Sequence, residues 1–400
     1  MNIVVAQSGG PTCAINASLL GVIKGGFNAD SVEKVYGSLN GIEGILYGNL
    51  IDISDVIKTE EDMLLLRQTP SSALGSCRYK LPDPDKSPET YEKIIARFEE
   101  YGIGAMFYIG GNDSMDTVNK LSKYLAEKNS PIRVMGVPKT IDNDLPETDH
   151  TPGFGSAAKY LATTVSEIAR DTEVYDMKSV LVIEVMGRQA GWLAASSCVL
   201  RANGEEYPDF IYLPEVDFSA ERFLADLKAK LEAKNTVIAV VSEGVTIPSD
   251  EKGEQKRDAF GHVQLAGIGK TLENLIKDKL GVKVRSVELS VLQRCASHVA
   301  SETDLSESEA VGTAAVLAAV EGETGKMMAF KRTSNTPYTV DIVPVPANLV
   351  ANGERNFPVE WINEEKNNVT DEALEYFLPL IEGEPEMLYK NGLIRHIKLK

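Results

Sequence analysis

The 400-residue chain is 43% hydrophobic and 25% charged, an ordinary globular composition whose length suggests about two domains. Its formal net charge of −18 argues against nucleic acid or an anionic membrane as a general partner, since both reward excess Lys and Arg. A phosphorylated substrate would meet the same repulsion, so binding one requires a local knot of basic side chains.

Cys13, Cys77, Cys198 and Cys295 are scattered, with no Cys-x-x-Cys and no His at ligand spacing. Neither a disulfide framework nor a zinc site is indicated, and the expectation is reduced thiols in a cytoplasmic protein. No apolar run approaches a membrane span, and residues 1–6 have strand length and no basic leader. His150, His262, His298 and His396 lie apart from any Ser or Cys nucleophile motif, which favours a carboxylate base over an imidazole.

In chain order, residues 3–6 read as a buried strand, followed by Gln7-Ser-Gly-Gly-Pro-Thr12 and a helix over 14–23. A strand, a Gly-rich turn and a helix N-terminus together make an anion cradle in which Gly9 and Gly10 allow close approach. The alternative is a tight turn that uses Gly only for positive φ. A polar loop, Ser72-Ala-Leu-Gly-Ser-Cys-Arg78, precedes Pro-rich surface and an amphipathic helix over 89–101 closed by Gly102. The buried strand 105–109 then runs into Gly110-Gly-Asn-Asp-Ser114 and a helix over 114–127. The same strand, Gly-Gly turn and helix have now appeared twice, which favours a phosphate site.

The stretch Gly136-Val-Pro-Lys-Thr-Ile-Asp-Asn-Asp-Leu145 concentrates the chemistry at the exit of a β-branched strand, 132–137. Pro138 cannot extend a sheet ladder, so the polar cluster belongs on a loop at the carboxyl edge, where open α/β sheets bind ligands. Asp142 suits proton abstraction from a hydroxyl, Asp144 suits a metal and Lys139 an anionic donor. A turn in which Asp and Asn merely cap backbone groups is the alternative.

Beyond it, Gly153-x-Gly-x-x-Ala158 imitates a dinucleotide fingerprint but follows polar loop, and Gly267-Ile-Gly-Lys-Thr271 imitates a P-loop with Gln264 at its first Gly position. Both are rejected. Strands over 180–185, 210–213 and 237–241 alternate with helices over 190–199 and 220–232, which implies a parallel sheet covered on both faces. Met186-Gly-Arg188 and Ser242-Glu-Gly244 leave two of these strands. Arg285 and Arg294 end a strand-like run, and Ser306-Glu-Ser-Glu309 forms a capping box that opens a helix to 320, closed by Gly322. Strands over 327–331 and 338–343 follow, and residues 392–400 alternate apolar and basic residues as a late strand or a tail over the acidic body.

Taken in order, Ser-Gly-Gly, Gly-Ser-x-Arg, Gly-Gly-Asn-Asp-Ser, Pro-Lys-Thr-Ile-Asp-Asn-Asp, Met-Gly-Arg, Glu-Gly and Arg…Gln-Arg resemble the phosphofructokinase family over residues 3–343, leaving the tail outside. The resemblance implies an α/β fold of two Rossmann-like three-layer domains with largely parallel sheets. Residues 1–153 with 293–343 would hold the phosphoryl donor, and 154–292 with 344–400 the fructose 6-phosphate. It implies an active site in the cleft, a homodimer or homotetramer that shares the sugar phosphate site, and Mg2+ as cofactor. Asp142 resembles the base that deprotonates the 1-hydroxyl of fructose 6-phosphate, with Thr140 and Ile141 as substrate contacts and Asp144 and Asn112 toward the metal. Gly9, Gly10, Arg78, Gly111, Ser114 and Lys139 resemble donor contacts. Lys178, Met186, Gly187, Arg188, Glu243, Arg285 and Arg294 resemble sugar phosphate contacts, with Arg285 reaching in from a neighbouring subunit.

Donor choice follows from two departures. Asp113 and Lys139 stand where ATP-dependent members have Gly, so a carboxylate would crowd a nucleotide's α-phosphate while a cation holds the transferring group and the phosphate that leaves. This resembles the diphosphate-dependent branch. Other departures are Asn112 for an Asp associated with magnesium, Lys178 for Arg, and Val291 for a His or Tyr. The rivals are an ATP-dependent enzyme in which Lys139 and Asp113 merely pair, and a non-catalytic sugar phosphate binding or regulatory subunit.

Overall fold

The computed structural model describes residues 1–247 and 267–399. Gln264 and His262 lie outside the described residues. The strands of the two main sheets are β1 (Asn2–Gln7), β2 (Val35–Ser38), β3 (Leu50–Asp52), β4 (Ile103–Gly110), β5 (Arg133–Pro138), β6 (Ser179–Val185), β7 (Phe210–Tyr212), β8 (Thr236–Ser242), β9 (Lys283–Glu288), β10 (Lys326–Asn335) and β11 (Tyr338–Pro346). One sheet runs β11-β10-β5-β4-β1-β2-β3 and the other β7-β8-β6-β9. The smaller is parallel throughout; the larger is parallel except at its edges, where β3 and β11 run antiparallel to their neighbours.

The central strands β1, β4, β6 and β8 are mainly apolar and buried along almost their whole length, so alternate side chains feed two different cores, one on each face. In β1, Ile3 and Val5 pack with Ile15 and Leu19 of the helix Ile15–Asn28, whereas Val4 and Ala6 pack with Ile94 and Phe98 of the helix Pro88–Glu100. In β6, Leu181 and Ile183 pack against the helix Phe154–Glu173, and Val180 and Val182 against the helices Ala220–Ala233 and Ile268–Leu280. The result is two three-layer α/β/α sandwiches. A fully buried Ile or Leu contributes about 1.5–3 kcal/mol by leaving water, so a charge placed at Val5 or Ile183 would cost more than a surface change ever does.

The larger sheet fixes where a ligand goes. From β1 the chain moves to β2 on one side, then crosses back to β4 on the other. The reversal opens a crevice at the carboxyl ends of β1 and β4, the usual binding place in open α/β sheets. Both Gly-Gly turns leave the sheet there, and Ser8 Oγ and Ser114 Oγ meet at 2.5 Å.

Several expectations change. The strand-like run over 285–294 stops at Glu288; Ser290 turns the chain at φ 43°, and Ser290–Arg294 is a 3-10 turn. The helix expected over 190–199 is one α-turn, Trp192–Ala195, continued as 3-10 helix to Asn203. The capping box at Ser306 lies inside the helix Glu302–Glu321, whose true cap is Ser301. The helix starts earlier because Asp304 is needed across the fold: its carboxylate accepts Gly153 N–H at 2.8 Å and Ser156 N–H at 3.0 Å, capping the helix Phe154–Glu173. Ser306 is left one turn on, bonded to Glu302 at 2.6 Å. The basic tail is a tail: Tyr389–Lys390 and Leu393–Ile394 pair only with each other, Arg395 meets Glu61 at 2.6 Å, and Leu399 is buried against the larger sheet. Among the described residues, no helix is long and apolar enough to cross a membrane.

Candidate active site

A cleft with about 220 Å³ of free space lies at the crevice. Its lining draws on the turn after β1 (Ser8, Gly9, Gly10), the loop Cys77–Lys80, the turn after β4 (Gly111, Asn112, Asp113, Ser114), the loop after β5 (Lys139, Thr140, Asp142) and, from the other sandwich, Arg188. All six sequence-selected donor residues are therefore wall residues along with Asp113, Thr140 and Asp142; the carboxyl edges of the two sheets face one cavity.

Lys139 is the innermost cation. Its side chain is 3% exposed, and its Nζ donates to the Gly10 carbonyl at 2.6 Å. Gly9 adopts φ +73°, and a Cβ added there would stand 3.3 Å from that Nζ, so the turn needs Gly both for its conformation and for room. Burial pulls the Lys139 ammonium down to about 8, and Arg294 adds to the fall, while Asp142 and Asp144 oppose it. Arg294 is close as well: a Cβ at Gly10 would lie 3.5 Å from its guanidinium. Asp113 does not serve as partner to Lys139; it pairs with Lys80 at 3.1 Å.

Asp142 and Asp144 sit two residues apart on the loop that leaves β5. Burial raises both carboxyls above the usual range. Lys139 and Arg188 pull Asp142 back, whereas the Asp142 and Glu354 charges push Asp144 further up. Thr140 Oγ1 accepts the Asp142 N–H at 3.1 Å, and Thr140 bridges to Gly153, which ties the loop to the cap of the next helix. Ile141 is buried in the core beneath the smaller sheet. Asn112 Oδ1 accepts Asp113 N–H at 2.7 Å, so part of its acceptor capacity is already spent on the helix start.

From the smaller sheet, Met186-Gly-Arg188 leaves β6 and Glu243 leaves β8. Ser242 Oγ donates to the Gly187 carbonyl at 2.5 Å, and a Cβ at Gly244 would lie 2.1 Å from the Arg188 carbonyl, so the two loops touch backbone to backbone. Glu243 accepts Gly187 N–H at 3.3 Å; burial pushes its carboxyl up to about 7, helped by the Asp142 charge. Gln293 Oε1 accepts Met186 N–H at 3.2 Å, linking this loop to Arg294.

Two selected residues stand elsewhere. Lys178 precedes β6, and Arg285 pairs in register with Leu181 near the amino end of the sheet, the edge opposite Arg188 and Glu243. Arg285 lines a separate shallow depression with Tyr175, Ser179 and Lys283. A single chain thus leaves these two cations outside the cleft.

Sequence reasoning missed Lys80 and Arg355, and gave Gln293, quoted only within the Arg…Gln-Arg motif, no role of its own. Arg355 straps the loop after β5: it donates to the carbonyls of Asn143 and Thr148 at 2.8 Å each and to that of Asp149, its N–H reaches the Asp144 carbonyl at 2.7 Å, and its guanidinium lies 4.4 Å over Trp192. No motif surrounds Arg355, so only the fold reveals it. Replacing it with Lys keeps the charge but loses the fork. Turnover should fall about 10- to 100-fold through a displaced Asp142, with a changed Trp192 emission. An unaltered rate and spectrum in Arg355→Lys would show that the strap is idle.

The phosphofructokinase family model matches residues 2–319. The pyrophosphate–fructose 6-phosphate 1-phosphotransferase of Halomonas elongata is 40% identical over 403 residues, covering 100% of this chain and 96% of that protein. The sulfofructose kinase of Alkalicoccus urumqiensis is 34% identical over 368 residues, covering 92% of this chain and 93% of that protein. The crystal structure of a pyrophosphate-dependent phosphofructokinase from Nitrosospira multiformis superposes with a TM-score of 0.88 at 37% identity, covering 100% of this chain and 96% of that one. The tail beyond residue 343, which the motifs left outside the resemblance, is thus shared with full-length relatives.

Proposed function

Because this chain belongs to the phosphofructokinase family, we propose that it is an enzyme that transfers a phosphoryl group from diphosphate to the 1-hydroxyl of fructose 6-phosphate, giving phosphate and fructose 1,6-bisphosphate reversibly. The observation that carries the reading is Lys139, buried against Gly10 with its ammonium beside Asp142, in a pocket whose outer wall is Asp113. That arrangement suits the two phosphoryl groups of diphosphate and leaves little room for a nucleotide beyond them.

Asp142 takes the proton of the sugar's 1-hydroxyl, and the freed oxygen attacks the near phosphorus in line with the bond that breaks. The electron pair of that bond leaves with the departing phosphate, whose charge the Lys139 ammonium stabilises. Gly9, Gly10, Gly111, Ser114 and Arg78 hold the donor; Thr140, Ile141, Met186, Gly187, Arg188, Glu243 and Arg294 hold the sugar phosphate. Residues 1–153 with 293–343 make up the donor part and 154–292 with 344–400 the sugar part, except that the end of β11 to Pro346 and the buried Leu399 pack with the larger sheet. The enzyme serves glycolysis or gluconeogenesis in the cytoplasm, with no nucleic acid or membrane partner.

A divalent metal, Mg2+ in this reading, fits the loop: Asp142 and Asp144 are two carboxylates on one loop, and burial with the Asp142 and Glu354 charges holds the Asp144 carboxyl up at about 7, a charge cost that a bound cation would offset. Among the described residues, no group of three or more His, Cys, Asp or Glu would hold an ion unaided. Asp144, with Asn112 as a minor contact, would therefore share the ion with water and donor oxygens, as Mg2+ commonly does. It supplies charge neutralisation on the diphosphate. Lys178 and Arg285 act in a neighbouring copy, as a homodimer or homotetramer; exposed Val174, Tyr175 and Met177 beside Lys178 offer the apolar contact such an assembly needs.

The charge states predict a bell-shaped pH profile for kcat/KM. Lys139 carries its charge below about 8, so activity falls as pH rises past that value. Asp142 and Glu243 must be ionised, so activity also falls as pH drops through their raised pKa values. Lys139→Arg should remove the alkaline limb, and an alkaline limb unchanged in that variant would assign it to another group. The reaction itself is tested by phosphorus NMR run in both directions: fructose 1,6-bisphosphate and phosphate must return diphosphate, and a one-way reaction counts against the proposal.

A further inference from the structure

We propose that Lys80, paired with Asp113, is a specificity-determining residue that closes the outer end of the donor pocket and binds diphosphate there. The inference rests on the reading that diphosphate is the donor, and adds a residue and a mechanism to it. Lys80 comes from the loop that follows Arg78, and Asp113 from the first turn of the helix Asn112–Glu127; their Nζ and Oδ1 are 3.1 Å apart. Both line the cleft that holds Lys139 and Asp142. Their positions differ in depth: Lys139 is 3% exposed, whereas the Lys80 and Asp113 side chains are 54% and 38% exposed. Lys139 is the inner cation, and the pair stands at the mouth.

Two physical consequences follow. Asp113 by itself would repel every phosphate donor, diphosphate included; the adjacent ammonium offsets that repulsion for a ligand that stops at the mouth. An ammonium has three N–H donors and can keep one on Asp113 while offering others to an outer phosphoryl oxygen. A donor that continues past the mouth has to displace the pair, which exposes it to the Asp113 charge. Selectivity in this account belongs to the pair, with Lys80 making the carboxylate tolerable to the short donor. An ion pair this open to water contributes little to stability, so changing it should leave the fold alone.

The test measures initial rates of the full-length enzyme with Mg2+, varying diphosphate and fructose 6-phosphate in turn. Binding of methylenediphosphonate, an analogue that cannot be cleaved, is followed by calorimetry. Lys80→Met should raise KM for diphosphate by about 10- to 100-fold, the worth of a charge-assisted hydrogen bond, weaken the analogue to match, and leave KM for fructose 6-phosphate within about twofold. Lys80→Arg should stay near the parent. Asp113→Ser in the Lys80→Met background should recover part of the loss, the part owed to the uncompensated carboxylate, while the missing Lys80 contact keeps the diphosphate KM above the parent. Unchanged diphosphate KM and analogue binding in Lys80→Met, an equal loss for both substrates, or no recovery in the double variant would each overturn the inference. A parent enzyme without diphosphate turnover refutes the underlying reading instead, and is seen before any variant is made.

Discussion

Asp142→Asn should lower kcat by about 100- to 10,000-fold, the usual range for a lost general base, with both KM values little changed. The amide matches the carboxylate in shape, and the Thr140 Oγ1 contact to the Asp142 N–H uses backbone that the variant keeps. What disappears is the capacity to accept the proton of the 1-hydroxyl. Stability should not suffer, because burial already disfavours the ionised carboxyl at this position and an amide is less costly to desolvate. The variant therefore separates chemistry from folding: circular dichroism and thermal midpoint stay at parental values while turnover collapses. Retention of more than about a tenth of the parental rate would move the base elsewhere, and Asp144 would be the first alternative. The same measurement disposes of a purely binding role, since a non-catalytic protein shows no turnover to lose.

The second large effect concerns the donor. With Lys139 and Asp113 both replaced by Gly, diphosphate turnover should fall by about 100- to 1,000-fold, comparable with loss of a preorganised group that stabilises transition-state charge, and ATP should become a usable donor. Lys139 Nζ now fills the space above the Gly9–Gly10 turn, and Gly at 139 empties it. Asp113 at the mouth is the charge that a nucleotide's remaining phosphate would meet, and its partner Lys80 would then be left to attract that phosphate. The geometry also disposes of the idea that Lys139 exists only to pair with Asp113, since their bonds go to Gly10 and Lys80 respectively. If the double variant loses diphosphate activity without any gain with ATP, steric and charge exclusion at these two positions is insufficient to explain donor choice.

Much of this site can be read in the chain because its parts are short and local. Each strand that ends at the cleft is a mainly apolar run followed within a few residues by Gly or Pro, so its exit is fixed to within a residue or two: β5 stops at Pro138, and β6 and β8 deliver Met186 and Glu243 as their patterns imply. Parallel pairing then brings those exits to one edge with no further information. The features that were not legible depend on partners far along the chain. Ser306 and Ser301 both head sequences that suit a helix start, and only the need for Asp304 at Gly153 and Ser156 decides between them. β2 and β3 are four and three residues long and hold their places by pairing with β1 and with each other. The helix Glu60–Gln68 was not read from the sequence, although its capping box, Thr59 with Asp62, is wholly local. Arg355 acts on carbonyls more than 200 residues earlier in the chain, and no local pattern encodes such a contact. Lys178 and Arg285 illustrate the remaining limit: their residue types suit phosphate, yet a single chain holds them at the far edge of the smaller sheet.

The function of the cleft turns on which donor it accepts. The most direct measurement is the initial rate of fructose 1,6-bisphosphate formation by the purified enzyme with Mg2+ and fructose 6-phosphate, with diphosphate or ATP supplied at equal concentration. The expected result is saturable turnover with diphosphate and at most a trace with ATP. Robust turnover with ATP and none with diphosphate would contradict it.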